Sequence, residues 1–221
     1  MNDTVSEANV SRFNAIADSW DDNPIRTALA RGVAGAILER IAPTGEERAM
    51  EFGAGTGLVT ALLAPRLGRV LAVDSAGGML DVLRDKAAGL GLDNIEVREA
   101  DLSRDMPAGP FDLVFSSMTL HHIQDVAGLL ARLAGVLAPG GRIAVADLET
   151  EDGTFHGDTP GVAHQGFDPA VVAEWLAGAG FEEVQVAPAH VVHKTGADDA
   201  AHDYPVFLAT ARLPRKGVGD K

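Results

Sequence analysis

The sequence predicts an α/β protein built on a seven-stranded, mostly parallel sheet with helices on both faces. Three observations carry that expectation. From Arg48 onward, short apolar runs alternate with helical stretches, the pattern of right-handed crossovers between parallel strands. The last two apolar runs have no helical stretch between them, so they are expected as an antiparallel pair at one edge. A glycine-rich turn falls where the first run meets the first helix of the alternation.

Ahead of the sheet, Val10, Phe13, Ala17 and Trp20 recur at helical spacing, and Asp21-Asp22-Asn23-Pro24 stops that helix. Val33, Ala34, Ile37, Leu38 and Ile41 mark a second helix, ending at Pro43-Thr44-Gly45. Residues 1–45 are thus expected as an N-terminal helical cap on a domain spanning 46–212. Strands are expected at 49–52, 69–73, 95–98, 111–115, 142–146, 183–187 and 205–211. Helices are expected at 56–67, 79–90, 126–137 and from Asp168-Pro169 to Leu176, with Pro139-Gly140-Gly141 as the turn into the fifth strand. Residues 149–166 are polar and rich in Gly, His and Asp, and read as a lid-like insertion; loops this long are uncommon in compact domains and often functional. Residues 213–221 read as a loose tail.

Composition narrows the function. The chain has 221 residues, 46% hydrophobic and 23% charged, enough to bury a core. Cysteine is absent, which removes disulfides, thiolate metal sites and cysteine nucleophiles. A net charge of −14 argues against broad binding to nucleic acid. Residues 1–10 lack the basic-then-apolar order of a secretory leader, and no apolar run reaches the ~18 residues of a membrane span. The expected setting is cytoplasmic, as a monomer or homodimer.

The most informative stretch is Glu51-Phe52-Gly53-Ala54-Gly55-Thr56-Gly57. Glycines at alternate positions permit positive φ and close approach of a ligand to the backbone. The following helix points its amides and the positive end of its dipole at that ligand. The hydride-cofactor fingerprint Gly-x-Gly-x-x-Gly/Ala fails in both registers, at Leu58 and at Thr60. A phosphate loop ending in Gly-Lys-Ser/Thr is excluded, because the first lysine is Lys86. Asp74 ends the second strand, 19 residues after Gly55, the spacing at which an acid reaches ribose hydroxyls. Asp101 follows the third strand, where an adenine amino group could be read.

Glu51-x-Gly53-x-Gly55-x-Gly57, Asp74 and Asp101 together resemble the class I S-adenosylmethionine-dependent methyltransferases, in particular the small-molecule type 11/12 and ubiquinone/menaquinone-type branch. The segment Phe111-Asp112-Leu113-Val114-Phe115-Ser116-Ser117-Met118-Thr119-Leu120-His121-His122 is similar to the family's fourth-strand region, and Leu137-Ala138-Pro139-Gly140-Gly141-Arg142 to its turn into strand five. The resemblance implies a Rossmann-like sheet whose last strand is antiparallel. It implies that Gly53, Ala54, Gly55, Thr56 and Gly57 line the cofactor's methionine and ribose, with Glu51 supporting the loop. Asp74 would bind the ribose. Ser75 and Met79 would flank the adenosine, Asp101 and Leu102 would hold the adenine, and Ser116 and Ser117 would lie near the sulfonium.

In-line methyl transfer needs positioning and exclusion of water more than chemical help. An acceptor that carries a proton also needs a base, and His121 and His122 stand close to the expected methyl position. Phe13 and Trp20 are expected to fold over the cofactor or the acceptor, and His156 and His164 to face the acceptor from the lid. His156, Asp158 and His164 could in principle supply metal ligands, but their loose spacing predicts no metal site. The expected partner is a small-molecule acceptor, since no added domain suits a macromolecule. The alternatives are a protein that binds the cofactor without transferring methyl, and a nicotinamide-dependent oxidoreductase.

Overall fold

The computed structural model describes residues 7–157 and 159–215. Asp158 and most of the expected tail lie outside them.

Seven strands form one sheet: β1 (Arg48–Phe52), β2 (Arg69–Asp74), β3 (Ile95–Glu99), β4 (Phe111–Ser117), β5 (Leu137–Leu148), β6 (Glu182–Thr195) and β7 (Ala201–Arg212). Their order is β3-β2-β1-β4-β5-β7-β6. β1 to β5 pair in parallel, and β7 runs antiparallel to both neighbours. The chain reverses direction across the sheet between β1 and β4, which opens a crevice at the strands' carboxyl ends.

Six α-helices are described: α1 (Glu7–Ile16), α2 (Pro24–Ile41), α3 (Leu58–Leu63), α4 (Gly77–Leu90), α5 (Val126–Ala134) and α6 (Pro169–Gly178). Local chemistry sets several starts. Asn23, Asp125 and Asp168 accept backbone N–H groups at the heads of α2, α5 and α6, satisfying donors that a helix start leaves unpaired. Pro24 and Pro169 sit at first helical positions, where no N–H is missed.

Strand alternation divides the core. Leu113 and Phe115 of β4 join the cluster under α2 and α3, whereas Val114 between them joins the cluster under α5 and α6. Leu80 and Leu83 of α4 close on Ala54 and Ala72.

Three details differ from the sequence reading. The first helix ends at Ile16 and tightens into a 3₁₀ turn over Ala17–Asp22; Ala17 is drawn onto Ala76 and Met79, so tertiary packing overrides the single helical stripe. Ala138–Gly141 is not a turn ahead of β5 but a bulge within it. The register with β4 shifts between Phe111 and Leu113, and Gly140 takes φ +78°. The final hairpin is longer than expected: only 206–212 of β7 pairs with β5, and residues 190–195 pair with 201–206 beyond the sheet. Those outer rungs run past the end of β5, yet Val192, Tyr204 and Val206 on them are buried in the cluster under α2.

Candidate functional site

A cavity of about 410 Å³ opens at the carboxyl ends of β1, β2 and β4. Its floor is the glycine loop. Gly53 and Gly55 take φ of +62° and +53°. A Cβ on Gly55 would meet nothing of the protein within 4 Å, so the loop leaves its open side to a ligand. Asp74 braces the turn: its Oδ2 accepts the Gly55 N–H at 2.8 Å and its Oδ1 the Ala76 N–H at 2.8 Å. Burial nevertheless holds this carboxyl above its ordinary value, outweighing those hydrogen bonds.

Glu51 is 2% exposed and accepts the Thr60 hydroxyl. Burial pushes its carboxyl up to about 8; Asp74 adds to the rise, while Thr60 and Lys86 oppose it. Two desolvated acids therefore face one cavity. Asp101 lines the same cavity and accepts the Ser103 N–H at 2.9 Å.

The cap is held to this floor by polar contacts. Asp21 accepts the Thr56 hydroxyl at 2.6 Å and pairs with the Lys86 ammonium at 2.6 Å. Lys86 also donates to the Thr56 carbonyl at 2.7 Å. Phe13 meets Trp20 edge-on at 5.6 Å and the His122 ring at 5.5 Å.

Three imidazoles line the same cavity. His121 and His122 sit on the 3₁₀ turn Leu120–His122 that follows β4, and His156 comes from the 149–166 loop. The His121 ring lies 4.1 Å from that of His122 and 4.7 Å from that of His156. His121 Nδ1 lies 2.7 Å from Asp147 Oδ1, both side chains being buried. Burial alone would raise the Asp147 carboxyl, but His121 and backbone N–H donors hold it below its usual value. Nδ1–H of His121 therefore donates to Asp147, which leaves Nε2 as the basic nitrogen. His122 Nδ1 donates to the Gly161 carbonyl at 2.9 Å. Burial, reinforced by His121, pushes His122 down to about 4 and His156 to about 3, so both rings are neutral near pH 7.

Of the residues singled out in the sequence, Glu51, Gly53, Ala54, Gly55, Thr56, Asp74, Ser75, Met79, Asp101, Leu102 and Ser117 line this one cavity, as do Phe13, Trp20, His121, His122 and His156. Three do not. A Cβ on Gly57 would strike Leu83 of α4, so this glycine serves helix packing. The Ser116 hydroxyl donates to the Phe52 carbonyl at 2.7 Å inside the sheet, since neighbouring strand residues face opposite ways. His164 hydrogen-bonds the Ile123 carbonyl at 2.9 Å and packs on Phe167. Among the described residues, no group of three or more His, Asp or Glu could hold a metal ion.

Several lining or supporting residues were missed. Asp147 could have been found as an acid inside the apolar run Ile143–Leu148, where burial demands a partner. Arg12, Arg26 and Lys194 also line the cavity; nothing in their spacing marks them, because they come from the cap and from the hairpin beyond the sheet.

Fold and site together define a doubly wound protein whose switch-point crevice suits a nucleoside-bearing cofactor. The family described as "Methyltransferase domain" matches residues 50–145. An uncharacterized methyltransferase of Schizosaccharomyces pombe is 27% identical over 228 residues, covering 81% of this chain and 80% of that one. A demethylmenaquinone methyltransferase of Clavibacter sepedonicus is 36% identical over 152 residues, and the match spans 57% of its length. An uncharacterized methyltransferase of Mycobacterium tuberculosis, 35% identical over 127 residues, is spanned over 62%. Among solved structures, the DhpI complex with S-adenosylhomocysteine superposes with a TM-score of 0.72 at 25% identity, covering 96% of this chain and 97% of that one. The domain match, these relatives and the shared fold together support a class I S-adenosylmethionine-dependent methyltransferase.

The residues present fit that cofactor. The space in front of Gly55 would be filled by a Cβ only at the ligand's expense. Glu51 and Asp74 are desolvated acids that a cationic ligand would relieve. Asp74, with one N–H on each oxygen, keeps acceptor capacity for ribose hydroxyls.

Proposed function

We propose that this enzyme methylates a small-molecule acceptor that enters between the cap, the 149–166 loop and the histidine cluster. The observation that carries this reading is the buried His121–Asp147 pair, whose His121 lines the same cavity as the glycine loop.

Glu51, Gly53, Ala54, Gly55 and Thr56 would hold the methionine and ribose portions of S-adenosylmethionine. Asp74, Ser75, Met79, Asp101 and Leu102 would hold the adenosine, and Ser117 would face the sulfonium end. When bound, this cofactor supplies an electrophilic methyl on a positively charged sulfur. The remaining work falls to the chain. Phe13, Trp20 and Phe155 exclude water from the cavity they line, which strengthens every electrostatic contact inside. His121 accepts the acceptor's proton at Nε2, and Asp147 keeps the ring in the required tautomer and stabilises the imidazolium. His122, neutral and fixed by Gly161, orients the acceptor through Nε2. Alignment of the acceptor with the transferred methyl contributes most of the rate, as effective molarity does generally.

Calorimetry with S-adenosylhomocysteine and NAD tests the cofactor assignment. Saturable binding of the first and none of the second is expected; the reverse would refute it. Release of S-adenosylhomocysteine from a panel of small acceptors then tests transfer. Turnover is expected for small molecules, and turnover confined to protein or nucleic acid would sink the reading.

A further inference from the structure

Charge is unevenly spread over this chain. Its net charge is −14, yet the acceptor side of the cavity collects Arg12, Arg26 and Lys194. They come from α1, α2 and the outer part of β6. None of the three forms an ion pair among the described residues. Burial lowers the proton affinity of each. They are also electrostatically contiguous: Arg12 acts on Arg26 and His122, Arg26 on Lys194, and Lys194 on His156.

The nearby carboxylates are engaged elsewhere. Asp21 faces Arg26, but its oxygens hold Thr56 and Lys86. Glu151 faces Lys194, but its Oε2 accepts the Gly153 and Phe155 N–H groups. Asp147 is bound to His121. Lys194 itself lies 3.8 Å over the Phe155 ring and donates to the Phe155 carbonyl, which ties it to the loop that carries His156. Two buried polar atoms here, Arg12 Nε and His156 Nε2, have no hydrogen-bond partner. Buried polar atoms left unpaired, and desolvated cations that no carboxylate touches directly, are costly arrangements that a ligand can relieve.

We propose that Arg12, Lys194 and His156 form an oxyanion subsite, so that the methyl acceptor carries a carboxylate or phosphoryl group. Arg12 Nε–H and the Lys194 ammonium donate to its oxygens, as does His156 in its Nε2–H tautomer, while Arg26 adds positive field. The cleft is then divided by charge: acids on the glycine-loop side face the cofactor, and cations on the cap and hairpin side face the acceptor. This inference rests on the methyltransferase reading. The cofactor's own carboxylate is the competing anion, so the test is made with the cofactor product already bound.

The full chain saturated with S-adenosylhomocysteine is titrated calorimetrically with inorganic phosphate, acetate and the neutral isostere acetamide. Saturable binding of phosphate or acetate, and none of acetamide, is expected; which anion binds tells a phosphoryl from a carboxylate acceptor. Lys194→Met and Arg12→Gln should each weaken the anion about tenfold, Lys194→Arg should restore most of it, and S-adenosylhomocysteine affinity should stay within about twofold. Absence of saturable anion binding, equal binding of acetamide, or unchanged anion affinity in both variants would overturn the proposal. So would a loss of S-adenosylhomocysteine affinity in the variants, which assigns the cations to the cofactor. Failure of the unaltered chain to bind S-adenosylhomocysteine at all would instead refute the methyltransferase reading. Arg12→Gln lies at a partly exposed position of α1 and reports even if Lys194→Met does not fold.

Discussion

Asp147 and His121 are joined by a 2.7 Å hydrogen bond between two buried side chains, of which only His121 borders the cavity. Asp147 is the penultimate residue of β5, and His121 lies on the turn after β4, so the pair is produced by the parallel pairing of two neighbouring strands. Asp147→Asn should keep the fold and cofactor affinity and lower kcat about a hundredfold, the usual scale of general-base catalysis. In the proposed role Asp147 acts through His121, so the pH profile is the deciding readout: losing the carboxylate disfavours the imidazolium, and the acid limb of kcat/KM should move to lower pH. An unshifted limb with unchanged turnover would leave the pair a packing device.

Glu51 makes stability depend on pH. Its carboxyl is raised by burial from 4.5 to about 8 in the folded chain. The folded state therefore keeps a proton that the unfolded state releases, and the associated stability is full below the unfolded value and lost as pH rises through the folded one. Denaturant unfolding of the ligand-free chain should show stability falling between pH 5 and pH 8, and Glu51→Gln should flatten that fall by an amount on the order of 1–3 kcal/mol. A variant with the same slope as the parent would contradict the assignment.

Two glycines of one loop should fail in different ways. Gly57→Ala drives a Cβ into Leu83, and should destabilise the fold by about 1–3 kcal/mol while the surviving folded fraction still binds. Gly55→Ala meets no protein atom but intrudes on the cavity. It should lose S-adenosylhomocysteine affinity by more than its thermal stability accounts for. Paired calorimetry and thermal melts separate the two.

The cap is fastened by the half-buried Asp21–Lys86 pair and the Thr56 hydroxyl. Asp21→Asn should cost under ~1 kcal/mol of global stability, as ion pairs of this kind do. It should still speed proteolytic cleavage within 7–24 and weaken S-adenosylhomocysteine binding several-fold. Cleavage at the parental rate would mean that apolar packing of Ala17 on Ala76 and Met79 holds the cap alone.

Legibility in the sequence followed periodicity. The sheet and its glycine loop could be read because buried strands and their turns leave dense, regular patterns: β1 and β2 were located to within a residue, and the loop's glycines and acids were placed by their positions at strand ends. The cations of the cavity were not legible for a physical reason. Lys194 lies on rungs that extend past the end of β5, and Arg12 and Arg26 on a cap whose helix breaks at Ile16. Ser116 misled because a serine near a strand's end reads the same whether it faces the crevice or the sheet's interior.

The 149–166 segment is cinched at its base. Thr150 N–H donates to the Phe167 carbonyl and Glu151 N–H to the Gln165 carbonyl, beside the bridge between Glu149 and Phe167. Above this neck the segment is also tied sideways: the Ala163 and His164 N–H groups donate to the His121 carbonyl, and the Ala197 N–H to the Thr154 carbonyl. Exchanging the residues between the two stems would therefore also unseat the turn after β4 and the outer rungs of the final hairpin, so a graft at this neck succeeds only when both neighbours are changed with it.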